Sequence, residues 1–187
     1  MTNGVFSDYE IDRMSVKFVD GDAAISMNCV GSVEEEMTAK AITKSCRGTV
    51  IKKTVKGTGE GTLTISAHVP YEIFTEAFGM ELATLKAGVL AYGSNNRHKA
   101  FCLTVHVVDE DGAEKYKAYP NCIMNARPAI STENGAEEVA EIEMEVAVMP
   151  DTNGNGMYEA LAEGLDEAIK TAWMEGFTPA LVSLASA

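Results

Sequence analysis

The clearest hydrophobic pattern in the chain lies at residues 137–149, EEVAEIEMEVAVM. Ile142, Met144, Val146 and Val148 fall on one side of a two-residue alternation, and Glu141, Glu143, Glu145 and Ala147 on the other. A period of two predicts a β-strand with one dry and one wet face, since a helix would scatter those apolar residues around its axis. Three glutamates along one strand face repel each other. Two readings follow: a solvated outer face, or the lining of something that must not hold a polyanion.

The same alternation predicts strands at residues 13–19, with Met14, Val16 and Phe18 on one face, and at 62–69 and 101–108. A strand at 24–30 follows the turn Asp20-Gly21-Asp22, and Gly31-Ser32 is expected to end it. The Asp-Gly turn at 109–112 pairs 101–108 with 114–124, where Pro120 marks an edge or a bulge. Residues 38–55, rich in Thr, Ile and Val, read as one or two extended strands reaching into a loop that 57–61 closes. Helical spacing appears twice. Pro70 opens a helix with Ile73, Phe74, Ala77 and Phe78 as its stripe and Gly79 as its stop. A further helical turn is expected at 81–86, and 88–99 is a loop exposing His98. The second helix is predicted over 157–172, from Leu161, Leu165, Ile169 and then Trp173.

Length adds a size limit: 187 residues suit one domain, 1–187, able to bury a sizeable core. No apolar run approaches the roughly 20 residues of a membrane span, and the N-terminus carries no leader pattern, so folding in a cytoplasm is expected. Cys29, Cys46, Cys102 and Cys122 have no metal-site spacing and read as free thiols.

Charge changes the picture more. A net charge of −13 argues against tight nucleic-acid binding, which needs cations to displace phosphate counterions. It is also unevenly spread. Residues 40–56 hold Lys40, Lys44, Arg47, Lys52, Lys53 and Lys56 and no acid, whereas 133–187 hold twelve acids and one lysine. Such polarity suits a self-assembling protein, in which one copy's basic face meets another's acidic face.

Candidate chemistry is sparse. Residues 151–156, DTNGNG, match the front half of a calcium loop, with Asp151, Asn153 and Asn155 as candidate ligands. The twelfth position, where a bidentate Glu belongs, is Ala162, so the alternative is a strand-to-helix turn with Asn155 near the N-cap. Gly57, Gly59 and Gly61 lead into a strand rather than a helix, which favours a flexible turn over a phosphate cradle. No nucleophile can be paired with a base.

Several stretches resemble the major tail proteins, or tail tube proteins, of long non-contractile-tailed phages of Gram-positive bacteria. They are NGVFSDYEIDRMSV (3–16), NCVGSVEEEM (28–37), KAYPNCI (117–123), ENGAEEVAEIEMEV (133–146), MPDTNGNGMYEAL (149–161) and WMEGFTPALV (173–182). The resemblance runs in order along nearly the whole chain, and its specificity lies in the sum. It implies an α+β, mainly β fold: a sandwich or barrel of two sheets with a flanking α-helix, plus a C-terminal helix. It also implies a non-enzymatic virion protein without a cofactor, assembled in the host cytoplasm into stacked hexameric rings. The implied partners are further copies of itself, a tape-measure protein and tail-tip or terminator proteins. DNA would pass through the tube without specific binding, and no membrane is involved. On this reading Glu141, Glu143 and Glu145 face the lumen. The basic stretch with Gly57, Gly59 and Gly61 forms subunit or ring contacts. A contractile-tail or secretion-type tube is the nearest alternative, and a small calcium-binding sandwich the outsider.

Overall fold

The alternating residues do form a strand, with Met144, Val146 and Val148 buried and Glu143 and Glu145 exposed. A computed structural model describes residues 6–135 and 137–184. In chain order the strands are β1 (Glu10–Phe18), β2 (Ile25–Met27), β3 (Val30–Cys46), β4 (Thr49–Ala67), β5 (Phe101–Val108), β6 (Glu114–Met124), β7 (Ile142–Val148) and β8 (Tyr158–Leu161). Helix α1 (Tyr71–Ala77) joins β4 to β5, and α2 (Glu167–Gly176) follows β8.

The fold is mainly β with flanking helices. Its strands make one antiparallel sheet in the order β2-β1-β5-β6-β7-β4-β3, with β8 also against β6. The sheet wraps on itself, so that β1 and β3 return into contact near opposite ends of the pairing order. The enclosed layer is apolar: Met14 and Val16, Leu63 and Ile65, Leu103 and Val105, and Met144 and Val146 belong to one buried cluster. Helix α1 adds Ile73, Phe74, Ala77 and Phe78 to it. Gly79 ends that helix at φ 55°, where a side chain would run into the Arg97 carbonyl.

A second cluster lies outside the sheet. Trp173, Met174 and Phe177 pack on Tyr116 and Ala118 of β6, and Trp173 Nε1 donates to the Lys117 carbonyl at 3.2 Å. Here the structure departs from the helix expected at 157–172. Residues 158–161 form β8 instead, paired with Lys115–Ala118 of β6. That half of β6 would otherwise be an open edge, because β7 covers only Cys122–Met124. Ladder hydrogen bonds there outweigh the helical propensity of this stretch. The true helix starts after Asp166, one turn of 3-10 helix beyond β8. Pro120 sits at a register shift where β6 changes partner from β8 to β7, which is the bulge reading.

Other expectations are corrected too. The strand at 24–30 is cut to Ile25–Met27, and Gly31-Ser32 lies inside β3. Gly31 lies beside the carboxylate end of the exposed Glu141 side chain. Residues 81–86 make turns and an isolated bridge from Glu81 to Leu90, not helix. His98 is half-buried rather than exposed. Its Nδ1 lies 2.7 Å from the Met124 carbonyl and its Nε2 2.9 Å from the Tyr92 hydroxyl.

The shifted helix gives a direct check. Trp173→Ala should cost about 3–5 kcal/mol by urea unfolding. Leu161→Ala should stay within about 0.5 kcal/mol, because Leu161 is half-exposed on β8 rather than on a helix stripe.

Candidate functional site

The basic stretch forms the outer part of the β3–β4 hairpin. Its ladder runs from Ala39 opposite Gly57 to Cys46 opposite Thr49. Arg47 and Gly48 turn the chain with φ of 50° and 80°, as a two-residue hairpin loop requires. Eight residues on one side and nine on the other give an arm of about 30 Å. Every residue from 38 to 57 is exposed. The arm therefore has no core of its own, and a bare two-stranded hairpin is marginal in water.

Its rungs add repulsion. Lys40 stands opposite Lys56 and Lys44 opposite Lys52, so four cations share one face, while Lys53 opposite Thr43 belongs to the other. Arg47 is at the tip. Among the described residues none of these six cations has an ion-pair partner. Ile42, Val50, Ile51 and Val55 are each more than half exposed. The six basic residues predicted as a contact surface are thus gathered on one projecting element.

Gly57, Gly59 and Gly61 are not a loop: they lie within β4 at the root of the arm. A register shift between Met37 and Ala39 leaves residues 58–60 opposite Thr38 alone. Gly59 takes φ 77° to accommodate that bulge. Thr58 Oγ1 donates to the Thr38 carbonyl at 3.1 Å and accepts from the Glu60 N–H at 3.2 Å.

The acidic row is reassigned in part. Glu143 and Glu145 lie on the exposed face of β7, but Glu141 precedes the strand and turns toward Gly31. The register supplies two acids that the linear pattern missed. Glu145 is opposite Thr64, which is opposite Glu34; Ala147 is opposite Thr62, which is opposite Glu36. The outer face of β7-β4-β3 thus carries Glu143, Glu145, Glu34 and Glu36 around Thr62, Thr64 and Ser66. Asn125 Nδ2 donates to Glu145 Oε1. Alternation of Val33 and Met37 with Glu34 and Glu36 was the local signal; their meeting with β7 depends on long-range register.

A cleft of about 240 Å³ separates β1 from β3, lined by Asp8, Glu35, Lys117 and Tyr119 among others. Asp8 receives Lys115 Nζ at 2.5 Å and Lys117 Nζ at 2.6 Å, while Tyr119 donates to Glu35. Burial acts to raise the Asp8 carboxyl, but the two lysines outweigh it and hold the group below its ordinary 3.8. Burial, then the Glu35 hydrogen bond, pushes the Tyr119 phenol upward, so it stays a donor. These groups satisfy one another and tie residue 8 to β6 and β3.

Residues 151–156 run from β7 toward β8, not into a helix. Asp151 Oδ1 accepts from the N–H groups of Asn153 and Asn155 at 2.8 and 2.9 Å, and Oδ2 accepts from the Tyr158 hydroxyl at 2.6 Å. The three candidate calcium ligands are thus organised as a hydrogen-bonded Asx loop. Among the described residues no group of three or more His, Cys, Asp or Glu is placed to hold a metal.

No family model and no curated protein matches this chain. Among solved structures, the tube terminating cap of an anti-feeding prophage is similar at a TM-score of 0.50 and 13% identity, over 87% of this chain and 100% of that one. A chain of the sheath–tube complex of an extracellular contractile injection system, in its extended state, gives 0.49 and 14%, over 86% and 95%. A chain of the six-fold symmetrised anti-feeding prophage baseplate gives 0.45 and 9%, over 86% and 97%. At such identity the likeness to the cap is one of fold.

Two measurements follow. Cys29 and Cys46 are exposed, whereas burial pushes the Cys102 thiol up to about 12 despite Lys17, and Cys122 is buried. Maleimide at neutral pH should label Cys29 and Cys46 at least tenfold faster than the other two, which should react on unfolding; mass mapping reads this. For Asp8 the depressed carboxyl contributes stability above pH 3.8, lost as pH falls through its folded value. Asp8→Asn should therefore be less stable than wild type at pH 7 by under about 1 kcal/mol, since Asp8 is largely exposed. The difference should vanish in strong acid.

Proposed function

We propose that this chain is a structural subunit of a phage-type tail tube, non-enzymatic, acting in a virion or virion-like tail as stacked rings of itself. The observation that carries the reading is the β3–β4 arm. An exposed hairpin about 30 Å long, with like-charged rungs and four bare aliphatic side chains, is unfavourable in a monomer and acquires a partner surface in an assembly. The fold likeness to a tube terminating cap supports the same class.

In this reading the arm makes subunit or ring contacts through Lys40, Lys44, Lys52 and Lys56 on one face and Val55 and Lys53 on the other, with Arg47 at the tip. The outer face of β7-β4-β3 lines the lumen with Glu143, Glu145, Glu34 and Glu36. Fixed acids there repel DNA within about 8 Å at physiological salt and give it no counterion-release gain. DNA would slide without being held. Tape-measure and tail-end proteins would be the other partners. The sequence resemblance favours a non-contractile tail and the fold likeness is to the tube terminating cap of an anti-feeding prophage; a tube subunit serves either.

The charge rungs allow a test that separates assembly from folding. Lys52→Glu with Lys56→Glu turns both repulsive rungs into opposite-charge pairs, worth roughly 0.2–1 kcal/mol each to the hairpin. The variant should be at least as stable as wild type yet fail to form rings or tubes in electron microscopy across a concentration series. Tubes indistinguishable from wild type would sink the arm's role.

A further inference from the structure

The loop at 150–158 packs against the root of the arm with backbone set close against backbone, flanked by the Pro150 and Met37 side chains. A Cβ on Gly59 would lie 2.6 Å from the Gly154 carbonyl oxygen and 3.0 Å from Pro150 Cβ. One on Gly156 would overlap the Gly59 carbonyl and come within 2.9 Å of Met37 Cε. The contact is therefore reciprocal: each backbone fills the space a side chain on the other would need. It falls at the β4 bulge, where three residues face one and the ladder can bend most easily.

The loop itself is held stiff. The Asp151 carboxylate takes two backbone N–H groups and the Tyr158 hydroxyl, Asp151 N donates to the Asn155 carbonyl at 2.9 Å, and Gly154 N donates to the Asp151 carbonyl at 3.0 Å. Asn155 Nδ2 reaches the Tyr158 hydroxyl at 3.0 Å. Tyr158 in turn belongs to β8 and packs on Phe177, so the loop is tied to the β6–α2 side of the molecule. What resembles a calcium loop in sequence is here a closely hydrogen-bonded loop set against the bulge of β4.

We propose that residues 151–156 are an abutment that fixes the direction of the β3–β4 arm, with Gly59 and Gly156 as its contact faces and Asp151 as its internal tie. Rings of identical subunits need every arm to leave the body at one angle. Over a lever of about 30 Å, a 10° error at the root moves the tip by roughly 5 Å, about one strand spacing. The inference rests on the arm being an assembly element. Its purpose is to present that arm already aimed, so that association does not have to order it.

The native thiols read the angle. Cys46 is at the arm tip and Cys29 on the body, both exposed. Spin labels on these two cysteines of the full chain, kept below assembly concentration, should give one narrow distance distribution. Gly156→Ala, which adds bulk at the contact, should shift or broaden it at least twofold. Asp151→Ala, which unties the loop without adding bulk, should broaden it likewise. Protection of Cys102 and Cys122 from labelling checks that the body is folded. Both variants should raise the concentration at which tubes appear at least tenfold. A wild-type distribution as broad as the variants', or an Asp151→Ala distribution as narrow as wild type, overturns the abutment. Broadened arms with unchanged assembly overturn its role in assembly. The Lys52→Glu, Lys56→Glu protein separates the two readings. A narrow distribution without tubes supports both; a narrow distribution with normal tubes removes the arm's assembly role and leaves the abutment as a feature of the monomer.

Discussion

One strand pairing carries both halves of this molecule. β4 is 19 residues long: its second half is a central strand of the wrapped sheet, and its first half is one side of a bare arm. Toward the body, Leu63, Ile65 and Ala67 are buried while β3 and β7 hold the strand from both sides. Beyond the bulge the same ladder continues with both faces exposed among the described residues. The hydrophobic burial at one end anchors a structure that could not persist alone at the other.

This division explains which parts of the fold were legible in the sequence. Half-buried strands announce themselves by alternation, and β1 and β7 were visible from Met14 and Val16, and from Met144 and Val146; β5 was visible as an apolar run and β6 as its partner across the Asp-Gly turn. The arm was visible only as composition, because with both faces wet there is no period to read; its β-branched residues gave the strands and its lysines the surface. The glycines at 57–61 looked like a loop, since a Gly cluster usually is one, and only the close approach of Gly154 and Gly156 shows why the strand needed Gly59. Residues 157–161 read as helix because Leu161 falls at helical spacing from Leu165, Ile169 and Trp173; the unpaired half of β6 decided otherwise, and an open edge is a property of the tertiary fold. Glu34 and Glu36 joined Glu143 and Glu145 through a register linking residues more than a hundred positions apart.

The electrostatics follow the same division. Acids gather on the sheet face near the body and cations on the arm, although β3 carries members of both sets. In a single copy neither set is neutralised by the other. The arm extends about 30 Å, several times the screening length of about 8 Å at physiological salt, so Coulomb attraction does not fold it back. Each set is left with repulsion among its own members, Lys40 with Lys56 and Lys44 with Lys52 being the sharpest case. Association can relieve the cationic part by bringing another copy's acids to the arm. In the proposed tube it would leave the acidic face turned to the lumen still charged, where charge would be useful.

A stiff arm also has a kinetic consequence. Were the hairpin free to swing at its root, each encounter would have to order it, and the ordering cost would be subtracted from every contact in the ring. An arm aimed in advance makes that ordering part of folding, where burial of the core drives it. The residues that hold the aim need not touch a neighbouring subunit. Gly59, Gly156 and Asp151 lie at the joint, far from the tip, and the longer the lever, the more sharply small changes there appear at the far end. The sequence places its smallest residues where backbone meets backbone and its exposed cations along the arm, so that in the proposed assembly one hairpin would be positioned at its root and recognised along its length.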